Sequence, residues 1–265
     1  IMKRVLGTII LIIAIICFGW SAFSLGKYAW QTWTTQKNLD NLADKVNNDT
    51  ISIPGTDKES GESEDPVSES EAMMEKYGEL YKENKDFIGW LSVEGTKINY
   101  PVMYTPNDPE YYLRKNFDGD YDIGGMLFVD ARCTFNPTST DTIIYGHHMN
   151  NGTMFGPLMD FQDNDYLKKH TTITFDTMYR PGTYKIFASF QSKAYDPDSE
   201  EFKYYDFINA ETAYDFEEYL NNIKNLSLYY DEENAPSFGD EIITLSTCDY
   251  YTTDGRFAVL AKRIK

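Results

Sequence analysis

The chain has 265 residues, enough for one sizeable domain with extensions, and its 42 acidic residues against 24 basic ones give a net charge of −18. This negative charge argues against nucleic acid as a partner, because phosphate contacts need basic patches. Aromatic residues make up 15% of the chain. That content fits a domain rich in β-structure, and it fits equally a tyrosine-rich surface without a function.

The first element is an apolar run over residues 5–26 that contains no charged residue. A helix needs ~20 such residues to cross the hydrocarbon core of a bilayer. Lys3 and Arg4 precede the run, and a basic flank favours a cytoplasmic N-terminus. A cleaved signal peptide is the alternative, although its apolar region would be shorter, ~7–15 residues. We predict a cytoplasmic tip at 1–4 and an uncleaved transmembrane signal anchor at 5–26, with the rest of the chain outside the cell.

Residues 27–71 are predicted to form a membrane-proximal segment and a linker. The first part, to Asn48, has weak helical spacing of apolar residues, and the remainder is largely Asn, Asp, Ser, Gly, Glu and Pro. Such a composition cannot bury a core, so a disordered linker is expected there, holding the following domain clear of the membrane. The folded domain is predicted at 72–265, and its first helix runs to about Asn84.

After this helix the pattern changes to short apolar runs separated by Gly, Pro, Asn and Asp, which is typical of strands. A helix capped by Asn209 and running to 226 interrupts them. Many short strands with few helices predict a mainly β fold. We expect a closed β-barrel with an N-terminal helix and a helical insertion before the strand that carries Cys248. The predicted strands lie at 87–93, 98–102, 126–129, 141–147, within 182–193, and at 242–247 and 257–261.

The last two predicted strands carry the strongest chemical signal. The first ends at Cys248, the second begins beside Arg256, and an Asp-Gly turn signal closes the loop between them. If the strands pair as a hairpin, a thiol and a guanidinium lie side by side at one rim of the sheet. The guanidinium is always charged, so it can favour a thiolate or stabilise an oxyanion.

A cysteine nucleophile needs a proton acceptor, and histidine serves this purpose near neutral pH. The chain has three histidines. His170 follows two lysines and is expected at the surface. His147 and His148 end a predicted strand, where neighbours point to opposite faces, so only one of them can face Cys248. Two adjacent histidines and one distant cysteine are a poor ligand set for zinc, so no metal and no cofactor are predicted.

Several segments together resemble class B sortases over residues 72–265. They are Asn84-x-Asp86-Phe87-Ile88-Gly89-Trp90-Leu91, Gly95-Thr96-x-Ile98-x-Tyr100-Pro101-Val102, Tyr145-Gly146-His147-His148-Met149-x-x-Gly152-Thr153-Met154-Phe155, and Thr244-Leu245-Ser246-Thr247-Cys248 followed by Arg256.

The resemblance implies a membrane-anchored cysteine transpeptidase of a Gram-positive-type cell, with a sortase-type barrel. Such enzymes cut a C-terminal sorting signal after a Thr and join the surface protein that bears it to an amino group of a peptidoglycan precursor, a lipid II-type amine. By motif matching, the histidine is His147, the nucleophile is Cys248 and the arginine is Arg256. The resemblance leaves the exact sorting motif open.

Four residues are candidates for contact with the sorting signal: Tyr184, Leu245, Ser246 and Thr247. Ordinary strand packing explains each of them as well, above all Tyr184. The helix that ends at 226 is a further candidate wall of the substrate groove. A pilus-type sortase, another exported cysteine peptidase and a non-enzymatic surface protein remain alternatives.

Overall fold

The computed structural model describes residues 2–48, 66–249 and 254–265, with side chains at 6–46, 68–247 and 254–265. Four α-helices and nine strands make up these ranges, together with short 3₁₀ turns. The helices are α1 Met2–Asn48, α2 Pro66–Glu83, α3 Asn164–Leu167 and α4 Ala213–Leu226. The strands are β1 Phe87–Val93, β2 Asn99–Met103, β3 Leu127–Val129, β4 Asp141–Gly146, β5 Thr172–Thr177, β6 Thr183–Lys193, β7 Ser227–Tyr230, β8 Ile242–Asp249 and β9 Gly255–Arg263.

Eight of the strands form a closed barrel. Their order is β5-β1-β2-β3-β4-β8-β9-β6, and hydrogen bonds between β5 and β6 close the circle, while β7 extends the sheet from β6. Pairing is parallel between β2 and β3 and between β4 and β8, and antiparallel elsewhere. The mainly β fold, the closed barrel, the N-terminal helix and the helical insertion before β8 are therefore confirmed.

The parallel neighbours β4 and β8 position the residues that carry the chemical signal. Tyr145 pairs with Ser246, and Gly146 pairs with Thr247, at the ends of these two strands. His147 follows Gly146 directly and Cys248 follows Thr247, so the two residues lie at adjacent strand ends. The middle of both strands is fully buried, as their β-branched and apolar sequences predict.

Helix α1 begins in the apolar run and continues without a break to Asn48. It is the one helix in the described ranges that is long and apolar enough to cross a membrane, judged by length and composition. The last three turns of α1 pack against the barrel, and Leu39 and Leu42 are buried there. The weak helical spacing up to Asn48 thus belongs to one continuous helix, and the disordered linker predicted after it lies mostly outside the described residues.

Two helix boundaries differ from the prediction. Helix α2 begins at Pro66, six residues before the expected start, because proline suits the first helical turn and Ser70 bonds across to the domain. Helix α4 is capped by Thr212 in a capping box with Asp215, and the predicted cap Asn209 accepts a hydrogen bond from the Thr140 backbone instead.

Two strands were not predicted. β5 has three threonines, and its apolar positions are too few for a clear alternating pattern. β7 is four residues long and follows α4 directly. Without β5 the barrel cannot close, because this strand joins β1 to β6.

A buried carboxyl attaches α4 to the barrel. Asp141 on β4 is fully buried, and its Oδ2 accepts hydrogen bonds from Tyr219 on α4 at 3.2 Å and from Thr244 on β8 at 2.7 Å. Its Oδ1 has no partner in the described part of the chain. Burial raises the pKa of Asp141 to about 7, against opposition from the two hydroxyl donors.

We expect Asp141→Asn to stabilise the fold above neutral pH. The folded protein keeps this proton to higher pH than the unfolded chain, so the carboxyl destabilises the fold increasingly from about pH 4 to about pH 7. Asparagine cannot ionise and retains an acceptor for the two hydroxyls, and its advantage should reach about 4 kcal/mol, or about 8–16 °C in Tm, above pH 7. Thermal unfolding from pH 4 to pH 8 measures this, with Asp198→Asn in an exposed turn as a control. A variant less stable than the parent at pH 8 would contradict the account.

Candidate active site

A cavity of about 470 Å³ opens on the side of the barrel where β4 and β8 end and β9 begins. Its rim is completed by the 3₁₀ turns Tyr111–Arg114 and Tyr204–Asp206 and by the chain after β3. Residues that line it include Leu113, Asp130, Arg132, Tyr145, His147, Tyr204, Ser246, Thr247 and Arg256.

His147 follows β4 and is held by a backbone group. Its Nε2 lies 2.8 Å from the carbonyl oxygen of Leu113. A carbonyl can only accept, so Nε2 carries the hydrogen, and in the neutral ring Nδ1 is left free to accept a proton. Burial lowers the pKa of His147, the Leu113 bond opposes this, and the charge of Arg114 adds to the lowering. The imidazole is therefore neutral in the resting site near neutral pH.

Gly146, the residue before this histidine, lies in a confined space. A Cβ on Gly146 would come within 2.4 Å of the Leu127 side chain and 2.7 Å of Phe155. The glycine therefore lets the end of β4 approach these two core residues closely. The Phe155 backbone N–H also donates to the His147 carbonyl at 2.9 Å. Both contacts fix the backbone from which His147 extends.

Antiparallel pairing places Cys248 of β8 directly opposite Arg256 of β9. Arg256 is half-buried, and its Nη1 donates to the backbone carbonyl of Gly255 at 2.9 Å, which holds the guanidinium at the start of the strand. The predicted hairpin and its register are confirmed.

The opposite wall of the cavity is a charged cluster. Arg132 donates from Nε to Asp130 Oδ1 at 2.9 Å and from Nη2 to Asp130 Oδ2 at 2.7 Å, and Tyr145 donates to the same carboxylate at 3.0 Å. Burial alone would raise the pKa of Asp130, but the hydrogen bonds and charge of Arg132 lower it overall. Arg132 also bonds to the Tyr205 carbonyl and so fastens this wall to the turn before α4.

Comparisons with known proteins agree on one family. The family profile described as "Sortase domain" matches residues 91–264. Sortase B of Listeria monocytogenes is 31% identical over 247 residues, covering 93% of this chain and 91% of that protein. Sortase B of Staphylococcus aureus is 32% identical over 197 residues, covering 74% of this chain and 77% of that protein.

This chain belongs to the sortase family. Within the family it is of class B, because solved sortase B structures share its fold. The Staphylococcus aureus sortase B–substrate complex superimposes with a TM-score of 0.71 at 27% identity, covering 89% of this chain and 98% of that one. Sortase B from Bacillus anthracis gives a TM-score of 0.69 at 25% identity, covering 89% and 98%. The chain is accordingly a sortase cysteine transpeptidase.

The sortase fold brings some of the predicted substrate contacts to the cavity and not others. Ser246 and Thr247 line it. Ser246 Oγ lies 2.7 Å from the Tyr204 hydroxyl, and Thr247 donates to the Gly146 carbonyl at 2.8 Å, which ties the ends of β8 and β4 together. Leu245 lies in the barrel core, and Tyr184 lies with Arg263 and Glu241 near a different small cavity, so neither reaches this one.

The helix before β8 is not a wall of the sortase cavity. Phe216, Tyr219 and Ile223 of α4 are buried in a second core cluster against β6 and β9. The preceding turn supplies the wall instead, through Tyr204 and Tyr205. His148 lines a separate surface cavity beyond the end of β4.

Several residues at the cavity were missed in the sequence. Asp130 and Arg132 follow β3 directly, and a pair of opposite charges at a strand end is a signal that could have found them. The Leu113 carbonyl leaves no signal at all, because any residue supplies a backbone oxygen. Tyr204 and Tyr205 are two of 21 tyrosines, and nothing in their spacing separates them from the others.

Proposed function

We propose that this sortase cuts a C-terminal sorting signal after a Thr, using Cys248 as nucleophile, His147 as general base and acid, and Arg256 as oxyanion or substrate-backbone donor. The observation that carries the proposal is the register at the cavity. β4 and β8 end side by side with Gly146 paired to Thr247, and β9 places Arg256 opposite Cys248. The ends of three strands thus bring the backbone positions of Cys248, His147 and Arg256 close together.

In the first half-reaction the neutral His147 ring accepts the thiol proton of Cys248 at Nδ1, and the thiolate attacks the Thr carbonyl carbon. The tetrahedral intermediate collapses to a thioester as His147 returns the proton to the leaving amine. In the second half-reaction an amino group attacks the thioester, His147 takes its proton, and the thiol of Cys248 is regenerated. Proton and bond changes balance over the cycle, and no cofactor or metal enters either step.

Arg256 is assigned to the oxyanion or the substrate backbone because its guanidinium lines the cavity and one edge is already held by the Gly255 carbonyl. We expect Arg256→Ala to lower kcat/KM by about 10²-fold, the usual effect of losing one such donor. Arg256→Lys should recover only part of the loss, since a point charge lacks the planar donor pair. Peptide cleavage rates measure both, and Lys262→Ala, at the other end of β9, should stay within about threefold. Full activity of Arg256→Ala would exclude this role.

The cellular arrangement is proposed on the N-terminal sequence and helix. The apolar part of α1 serves as a single-pass signal anchor, with Lys3 and Arg4 on the cytoplasmic side and the barrel outside. In this arrangement residues 1–4 are the tip, 5–26 the span, 27–71 the connection and 72–265 the catalytic domain. The partners are surface proteins that carry a sorting signal and the lipid II-type amine that accepts them.

Peptide cleavage by the full chain in detergent micelles tests the proposal. Quenched fluorescent peptides would carry Asn-Pro-x-Thr-Asn, Ser-Pro-x-Thr-Gly or Leu-Pro-x-Thr-Gly, each beside a copy with the Thr replaced by Ala. We expect one motif to be cut after Thr, and added triglycine to convert the hydrolysis product into the ligated one. Mass spectrometry of the products identifies the bond. Cleavage at another bond, or products unchanged by the amine, would contradict a transpeptidase of this specificity.

A further inference from the structure

The carbonyl that holds His147 lies in a short turn that is itself held from outside the barrel. The Arg114 carbonyl, next after Leu113, accepts the backbone N–H of Asp122 at 3.0 Å, and the Tyr112 carbonyl, just before it, accepts the N–H of Met126 at 3.0 Å. The peptide groups on both sides of the Leu113 carbonyl are therefore bonded to the segment 122–126.

The segment 122–126 lies in close contact with the Leu113 carbonyl. Gly125 has a φ of 57°, and a Cβ added to it would lie 2.5 Å from the Leu113 oxygen. Only glycine fits at such a distance with this backbone conformation. Arg114 Nη1 also donates to the Ile123 carbonyl. The position of Leu113 O thus depends on where the 122–125 turn lies.

Helix α1 holds that turn. The Thr35 hydroxyl of α1 donates to Asp122 Oδ2 at 2.5 Å, and Asp122 Oδ1 accepts the Gly124 N–H at 2.7 Å, which shapes the turn. Thr35 is 9% exposed. Although its hydroxyl also lies 3.0 Å from the Gln31 carbonyl of its own helix, a carboxylate is the stronger acceptor. Further along α1, Lys45 pairs with Glu83 of α2 at 2.7 Å.

We propose that Thr35 and Asp122 are positioning residues for His147, so that the helix bearing the apolar anchor must be docked on the barrel for full activity. The path runs from the Thr35 hydroxyl to the Asp122 carboxylate, through the 122–125 turn to the Leu113 carbonyl, and from there to His147 Nε2. The inference rests on the role of His147 given under the proposed function. Helix α1, whose sequence indicates a membrane anchor, would then also position a residue of the active site.

The test uses the full chain in nanodiscs, with Cys17→Ala and Cys133→Ala as background so that Cys248 is the only thiol. Thr35→Val removes the hydroxyl while keeping the shape, and Asp122→Asn removes the charge. We expect each to lower kcat for the sorting peptide by about 5–20-fold with little change in KM, and Thr35→Ser to restore it. The matched control is Thr34→Val, because within the described residues the Thr34 hydroxyl bonds to its own helix alone, at Trp30 O, 2.9 Å away.

A second measurement does not depend on the sorting peptide. Loss of the Leu113 bond would make His147 a weaker base, since that bond raises its pKa. A weaker base takes the thiol proton of Cys248 less readily, so a smaller fraction of Cys248 is thiolate at a given pH. Alkylation of Cys248 by iodoacetamide at pH 7 should then slow about threefold in Thr35→Val, and its pH profile should move upward, with no change in Thr34→Val.

The outcomes separate this inference from the proposed function. If no peptide is cleaved but alkylation responds to Thr35→Val and recovers in Thr35→Ser, the proposed function fails and the positioning path stands. Normal alkylation and normal kcat in both Thr35→Val and Asp122→Asn would overturn the path while leaving the function. An equal loss in Thr34→Val, or a loss that follows a lower Tm with an unchanged alkylation profile, would also overturn it.

Discussion

Replacing Cys248 with alanine is expected to abolish peptide cleavage and transfer, lowering kcat/KM by at least about 10⁴-fold. The proposed mechanism passes through a thioester, and alanine has no atom that can form one. In other peptidases, removal of the nucleophile lowers kcat by about 10⁶-fold, and the activity that remains comes from substrate binding and oxyanion stabilisation. KM, where it can be measured, should change little, because the other residues that line the cavity, such as Ser246 and Thr247, remain.

The matched control for this variant is Cys133→Ala. Cys133 is a free cysteine and fully buried, and burial raises the pKa of its thiol to about 12, so it is unreactive at neutral pH. We expect this variant to keep its activity within about threefold. Cleavage of the sorting peptide by Cys248→Ala at more than a trace would show that another group is the nucleophile.

Replacing His147 with glutamine is expected to lower kcat/KM by about 10³-fold or more. Glutamine can still donate a hydrogen bond to the Leu113 carbonyl, but it cannot carry a proton between Cys248 and the leaving amine. Since burial lowers the pKa of His147, the wild-type acid limb should lie below the ordinary histidine value of about 6.5. Steady-state rates across pH 5–9 measure both the loss of kcat/KM and the absence of the acid limb in His147→Gln.

His148→Gln is the control, because His148 is adjacent in sequence but lines a different cavity. It should retain activity within about threefold and keep the wild-type pH profile. Equal losses in the two variants, or a larger loss in His148→Gln, would mean that motif matching has assigned the wrong histidine of the pair.

The hairpin of β8 and β9 could be predicted from the sequence in detail. Two apolar runs separated by a short polar loop predict the two strands. Cys248 and Arg256 flank that loop, so a hairpin brings them to one rim of the sheet, and the structure pairs them directly. Local sequence carries this information because the two residues are only eight positions apart.

Features that depend on distant backbone could not be predicted. His147 is oriented by a carbonyl 34 residues away, and a backbone oxygen has no sequence signature. The Thr35–Asp122 contact spans 87 residues and joins a helix to a turn. Thr212 caps α4 in place of the predicted Asn209, because the Asn209 side chain accepts a hydrogen bond from the Thr140 backbone N–H. In each case a tertiary contact determines a local conformation that the neighbouring sequence alone leaves undetermined.

The proposed mechanism requires that the Thr of a sorting signal acylate Cys248, and intact-protein mass spectrometry detects this intermediate. The full chain would be mixed with the sorting peptide that it cuts, without an amine acceptor, quenched in acid within seconds and weighed. We expect an adduct with the mass of the peptide fragment that ends in Thr, mapped to Cys248 and discharged by triglycine. Cleavage without an adduct on Cys248, or an adduct on another residue, would contradict it.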